Sequence, residues 1–117
     1  MGSPTPAQAA GNHGEERAAT YLASRGLAIL ARNFRTRLGE IDLVARDGDV
    51  LVFVEVRLRS SGSFGGALES ITVHKQRRIQ AAANQFLQRV RGTPRCRFDV
   101  VLIEADEIRW LRAAFEC

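Results

Sequence analysis

In the segment GEIDLVARDGDVLVFVEVRLR the acids Glu40, Asp42 and Glu55 and the cation Arg57 fall at alternate positions on either side of Asp47, Gly48 and Asp49. Alternation of apolar and polar residues around such a turn predicts a β-hairpin. A two-residue loop at Gly48 and Asp49 sets Asp42 opposite Glu55. A loop at Asp47 and Gly48 sets Glu40 opposite Glu55 and Asp42 opposite Phe53. Either register gathers the three acids on one face and leaves Ile41, Leu43, Ala45, Val52, Val54, Val56 and Leu58 on the other. Carboxylates that face each other across a sheet repel, so they require a cation or a raised pKa. A divalent metal meets that need. Magnesium takes one or two protein carboxylates and completes its shell with water and substrate phosphate oxygens, which makes Asp42 and Glu55 the candidate ligands. The alternative is that Glu40 and Asp42 are solvated strand residues neutralised by Arg57 and Arg46. Against it, Glu55 is embedded in VFVEV and has no route to solvent except through a cleft.

Glu15 extends the acid set. Helical spacing puts it on the stripe of Ala18, Ala19 and Leu22, which faces the sheet, while Glu16 falls with Thr20 on the outer side. Placement at the positive end of the helix dipole explains Glu16 better than Glu15. Arg57 shares the acids' face. Its guanidinium can stabilise charge developing at a phosphorus, but it is never deprotonated and cannot activate water. The nucleophile would have to come from a metal-acidified water.

The elements that must position these groups follow from periodicity. Alanine-rich Gly14 to Arg25 predicts a first helix stopped at Gly26, and Leu27 to Asn33 a short strand. Ser60 to Gly66 has turn chemistry and predicts a mobile loop. Apolar residues at Ile79, Ala82, Ala83, Phe86, Leu87 and Val90 predict an amphipathic second helix from about Val73 to Arg91. Cys96 to Glu104 and Ile108 to Leu111 predict two further strands. Phe86, Phe98 and Trp110 sit in apolar contexts and are expected in the core.

The second helix opens with His74, Lys75, Arg77 and Arg78, cations that oppose its own dipole. An anionic partner would account for them, and a solvated polar face is the ordinary alternative. Arg32, Arg35 and Arg37 form a second cationic group before the hairpin.

With 117 residues, one domain is expected, residues 13–117, preceded by a flexible tail over residues 1–12. The 45% apolar and 26% charged content suits a globular chain, and a net charge of +4 tilts the partner toward something anionic. Sixteen of the seventeen cations are arginine, with Lys75 the exception. Two cysteines, Cys96 and Cys117, are too few for a disulfide framework or a structural zinc site. A reducing cytoplasm is the expectation, with no secretion signal and no membrane span.

Taken together, GEERAATYLASRGLAIL, ARNFRTRLGEIDLVARDGDVLVFVEVRLR, FGGALESIT with KQRRI, and CRFDVVLI resemble the YraN-like family of small bacterial proteins. These are predicted endonucleases similar to archaeal Holliday-junction resolvases. The resemblance runs from about Gly14 to the C-terminus. It implies an α/β, restriction-endonuclease-like three-layer fold with a central mixed β-sheet flanked by helices, in the order αβββαββ. It also implies a PD-(D/E)xK motif, with Asp42 as the metal-binding aspartate, Glu55 as the acidic residue and Arg57 in the lysine position. Glu15 matches the first-helix glutamate of the resolvases. Arginine stands where the superfamily has lysine, and Ile41 where it has proline; Lys75 is a candidate for a displaced lysine function.

The expected protein is therefore a Mg²⁺- or Mn²⁺-dependent endonuclease of DNA, with branched or junction DNA in view and RNA as a lesser variant. Asp42, Glu55 and Glu15 are the expected metal ligands, and Arg57 the contact to the scissile phosphate. Arg35, Arg37, Arg59, Lys75 and Arg78 are the expected nucleic-acid contacts. A homodimer follows by analogy with junction-resolving enzymes, which make two opposed cuts. The competing expectation is a catalytically silent nucleic-acid-binding or assembly module of the same fold.

Overall fold

Asp47 pairs with Val50 and Leu43 with Val54, so the hairpin closes through Gly48 and Asp49, the first of the two registers. Gly48, at φ 61°, supplies the left-handed backbone that such a turn needs. The computed structural model describes residues 6–59 and 71–115, with side chains described over 13–58 and 71–115. The expected loop Ser60 to Gly66 and the Arg59 side chain lie outside these residues.

The hairpin strands are β2 (Glu40–Asp47) and β3 (Val50–Arg59). β1 (Ala28–Arg35) lies antiparallel on the outer side of β2. β4 (Cys96–Glu104) runs parallel to β3, and β5 (Glu107–Phe115) pairs antiparallel with β4. The sheet order among the described residues is β1-β2-β3-β4-β5. A parallel β3–β4 pair demands a crossover, and α2 (Val73–Leu87) lies within it. With α1 (Pro6–Ser24) at the start, the chain reads αβββαββ around a mixed sheet.

Each helix covers one face. Ala18, Ala19 and Leu22 of α1 pack on Leu43, Ala45, Val52, Val54, Val101 and Ile103. Ile79, Ala82 and Ala83 of α2 pack on Val44, Leu51, Phe53 and Phe98. The second face is tied across by aromatic contacts: Phe34 with Phe86, Phe86 with Phe53, Phe53 with Phe98 and Phe98 with Phe115, at centroid separations of 5.2, 5.9, 5.5 and 4.8 Å. Such pairs each contribute about 0.5–1.5 kcal/mol beyond their burial, so the C-terminal half of α2 is firmly seated. Its N-terminal turns, capped by Thr72 Oγ1 accepting from the Lys75 N–H at 3.2 Å, are left beside the sheet end that carries the acids.

Three expectations need correction. α1 begins at Pro6, eight residues before Gly14, so residues 6–12 of the expected tail are helical backbone; Pro is well suited to a first helical turn, where its missing N–H costs nothing. α2 ends at Leu87 rather than Arg91. Ile41 packs with the α2 cluster, not with Leu43 on the α1 face. The β2–β3 pairing stops at Leu43 and Val54, and beyond that point strict alternation no longer governs β2.

Candidate active site

Where the ladder stops, a side chain takes over. Asp42 Oδ2 accepts a hydrogen bond from the Val56 backbone N–H at 2.8 Å. The same carboxyl is hydrogen-bonded to Glu55, its neighbour across the hairpin. Burial, then the hydrogen bond and charge of Glu55, push the Asp42 carboxyl from 3.8 up to about 8, and the Val56 N–H opposes this only in part. Carboxyl-to-carboxyl contact of this kind requires a shared proton or a cation in its place.

Glu15 reaches the same spot from α1. Its pKa is raised by burial first and then by the charge of Asp42, with which it also shares a hydrogen bond. Two local features bring it there. A Cβ on Gly14 would meet Leu58 Cδ2 at 2.6 Å, the outer end of an exposed side chain, so α1 and the end of β3 run close together here. Asn33, held at φ 51° in β1, hydrogen-bonds Glu15 and lowers its pKa in part. Asn33 carries no signal in the sequence beyond being the kind of residue that tolerates a positive φ.

Beside the acids opens a cleft of about 340 Å³ lined by Glu40, Glu55, Arg57, His74, Lys75, Arg78 and Ile79. Carboxylates and cations thus meet across it, the former from the hairpin and the latter largely from α2. Arg57 Nε is buried and has no hydrogen-bond partner among the described residues. A buried, unpaired guanidinium N–H is costly and is relieved by an incoming acceptor oxygen. Gly39 sets the cleft's width: a Cβ there would lie 2.3 Å from the Arg78 carbonyl oxygen, so only glycine lets β2 approach α2 this closely.

Among the remaining expected contacts, Arg35 makes an exposed ion pair with Glu40 at 3.4 Å, and Arg32 pairs with Glu16. Arg37 is exposed on the turn before β2. Lys75 and Arg78 share the cleft with Glu55.

Asp99 went unnoticed in the sequence. It is fully buried on β4, accepting from Trp110 Nε1 at 2.8 Å, from the Ala113 N–H at 2.9 Å and from Arg97 Nε at 3.1 Å. Arg97 also lies 3.0 Å from Asp47 at the hairpin end. These bonds hold β5 at its register shift, where Ala113 has φ 50°. Asp99 is a structural carboxylate.

The donor set at Asp42 and Glu55 fits a hard divalent cation: oxygen ligands only, already forced together, with Glu15 adjoining. Among the described residues no group of three or more His, Cys, Asp and Glu stands ready-made around a metal position. Two carboxylates are within the one or two that magnesium usually takes from protein.

A model of the uncharacterised protein family UPF0102 matches residues 14–103. A UPF0102 protein of Herminiimonas arsenicoxydans is 53% identical over 112 residues, covering 96% of this chain and 90% of the relative. One from Alkalilimnicola ehrlichii is 54% identical over 115 residues, covering 97% and 91%. Among solved structures, Archaeoglobus fulgidus Hjc, a Holliday junction resolvase from an archaeal hyperthermophile, superposes with a TM-score of 0.56 at 16% identity, covering 84% of this chain and 72% of that one. At that identity the likeness establishes the fold: a restriction-endonuclease-like, three-layer α/β domain.

Proposed function

The chain belongs to the uncharacterised protein family UPF0102, and from its acid cluster we propose that it is a metal-dependent endonuclease hydrolysing phosphodiesters in DNA, with branched or junction DNA as substrate. The observation that carries this is the half-buried, hydrogen-bonded Asp42–Glu55 carboxyl pair beside an Arg57 whose Nε lacks an acceptor among the described residues.

Asp42 and Glu55, with Glu15 adjoining, would hold Mg²⁺ or Mn²⁺, which when bound would acidify water and offset phosphate charge. Arg57 donates to a phosphate oxygen and satisfies its orphaned Nε, stabilising charge as it grows in the transition state. Lys75, Arg78 and His74 line the opposite wall and seat the backbone of the strand to be cut. Val56 and Asn33 orient Asp42 and Glu15 so that neither carboxylate has to reorganise when substrate arrives. We further propose that the protein works in the cytoplasm as a homodimer, by analogy with enzymes that make two opposed cuts. No helix among the described residues is long and apolar enough to cross a membrane.

Arg57 also favours a second reading, a nucleic-acid-binding or assembly module of the same fold without chemistry, because guanidinium cannot take the proton-transfer roles open to lysine. Incubation with linear, flapped and four-way DNA, with and without Mn²⁺, separates the two. The nuclease reading predicts metal-dependent cutting that Asp42→Ala and Glu55→Ala abolish while binding survives. DNA retention with no cutting by any version establishes the module.

A further inference from the structure

Leu38, at the turn between β1 and β2, is 56% exposed although it is held rigidly. The Thr36 N–H donates to the Gly39 carbonyl at 2.8 Å, and Thr36 Oγ1 donates to the same oxygen at 2.9 Å. That hydroxyl also accepts from the Leu38 and Gly39 N–H groups, both at 3.1 Å. Gly39 in turn abuts the Arg78 carbonyl oxygen, so the tip cannot fold back onto the protein.

Leu38 projects beside a groove lined by Ala81, Asn84, Gln85, Gln88 and Arg89, with no acid among the described lining residues. Arg89 is steadied over the Phe34 ring at 5.1 Å. The acid-bearing cleft lies on the other side of the Gly39–Arg78 contact, with Glu40 and Arg78 in its wall. One arginine and three amides complement phosphates and base edges. A protein partner would call for a broader apolar patch than one leucine.

We propose that Leu38 is a wedge that enters the base stack of the DNA bound at the acid cleft. This deepens the nuclease reading and rests on it. It specifies a substrate with a weak or open base step, as at a branch, where insertion costs least. Leu38 lies four positions before Asp42, at most about 13 Å of extended chain, so the opened step lies within about four base steps of the acids.

The test uses the full chain and four-way DNA carrying 2-aminopurine at each step around the branch in turn, with Ca²⁺ replacing Mn²⁺ to keep the DNA uncut. The wild type should raise fluorescence at one step by about threefold or more, and Leu38→Ser should abolish the rise. Affinity for linear duplex should stay within about twofold, since every cation remains. In Mn²⁺, Leu38→Ser should lower the preference for four-way over linear cutting by roughly tenfold. No rise with the wild type, or an equal rise with Leu38→Ser, overturns the wedge. So does a variant that turns a dimer into a monomer while the signal persists, since Leu38 would then join two copies. A Leu38-dependent rise without any cutting leaves the wedge standing and sinks the nuclease reading instead.

Discussion

Asp42 Oδ2 and the Val56 backbone N–H are joined by a 2.8 Å hydrogen bond at the place where β2 and β3 part. A carboxylate thereby replaces a ladder carbonyl, and the donor it satisfies is a main-chain group that would otherwise be stranded. The bond fixes Asp42 against Glu55 instead of letting the two side chains turn apart to relieve their repulsion. The acid pair is thus held by the same interruption of the sheet that lets Ile41 join the α2 cluster.

This arrangement gives the metal-free protein a pH signature. Folded, Asp42 titrates at about 8, against an ordinary 3.8. Between those values the folded chain keeps a proton that the unfolded chain has released. The stabilising contribution is therefore whole below about pH 4 and is lost as pH rises toward 8. Asp42→Asn keeps an acceptor for Val56, offers a donor to Glu55 and does not ionise. In EDTA at pH 8.5 it should melt several degrees above wild type, given roughly 4 °C per kcal/mol in a domain this size, and the gap should shrink at pH 5. Thermal melts of both proteins at the two pH values check this.

Arg57 should act on turnover and little on folding. Arg57→Ala is expected to cut DNA about 100-fold more slowly at saturating substrate, the scale of losing one aimed donor. Arg57→Lys should recover part of that loss. Single-turnover cutting in Mn²⁺, with urea melts as the folding control, measures both.

Asp99 should behave in the opposite way. Asp99→Ala strands the Trp110 and Ala113 donors and leaves Arg97 with Asp47 alone. A stability loss of about 3 kcal/mol or more follows from breaking such a buried set. Urea denaturation reads it, while cutting per folded molecule should hold within about twofold, since the site does not include Asp99.

Gly39→Ala puts a methyl where the Arg78 carbonyl oxygen stands, 2.3 Å from the new carbon. Backbone must move, at a cost of about 1–3 kcal/mol. Because the same contact forms the wall between cleft and groove, DNA affinity measured by anisotropy should fall along with stability.

Much of this architecture was legible before any coordinates. Strict alternation about Asp47, Gly48 and Asp49 narrowed the hairpin to two registers, and the burial of VFVEV pointed to an acid that needed a cleft. The periodicity of Ile79, Ala82, Ala83 and Phe86 marked the face of α2 that packs on the sheet, where Phe86 meets Phe34 and Phe53. Other features were not legible because tertiary contacts decide them. Nothing local tells a strand to break its ladder at Leu43, so Ile41 was assigned by alternation to the wrong side. Asn33 and Asp99 act through partners distant in the chain, Glu15 and Trp110. Gly14 and Gly39 look like ordinary helix and turn glycines until Leu58 and Arg78 are seen pressed against them.

The central claim concerns a divalent ion between Asp42 and Glu55, and direct Mn²⁺ binding at pH 8 addresses it without reliance on any DNA substrate. Titration calorimetry of the wild type should show one Mn²⁺ per chain with proton release, as the metal displaces the proton of the Asp42 carboxyl into the buffer. Asp42→Asn should abolish that binding. Equal Mn²⁺ affinity in wild type and Asp42→Asn would contradict the account.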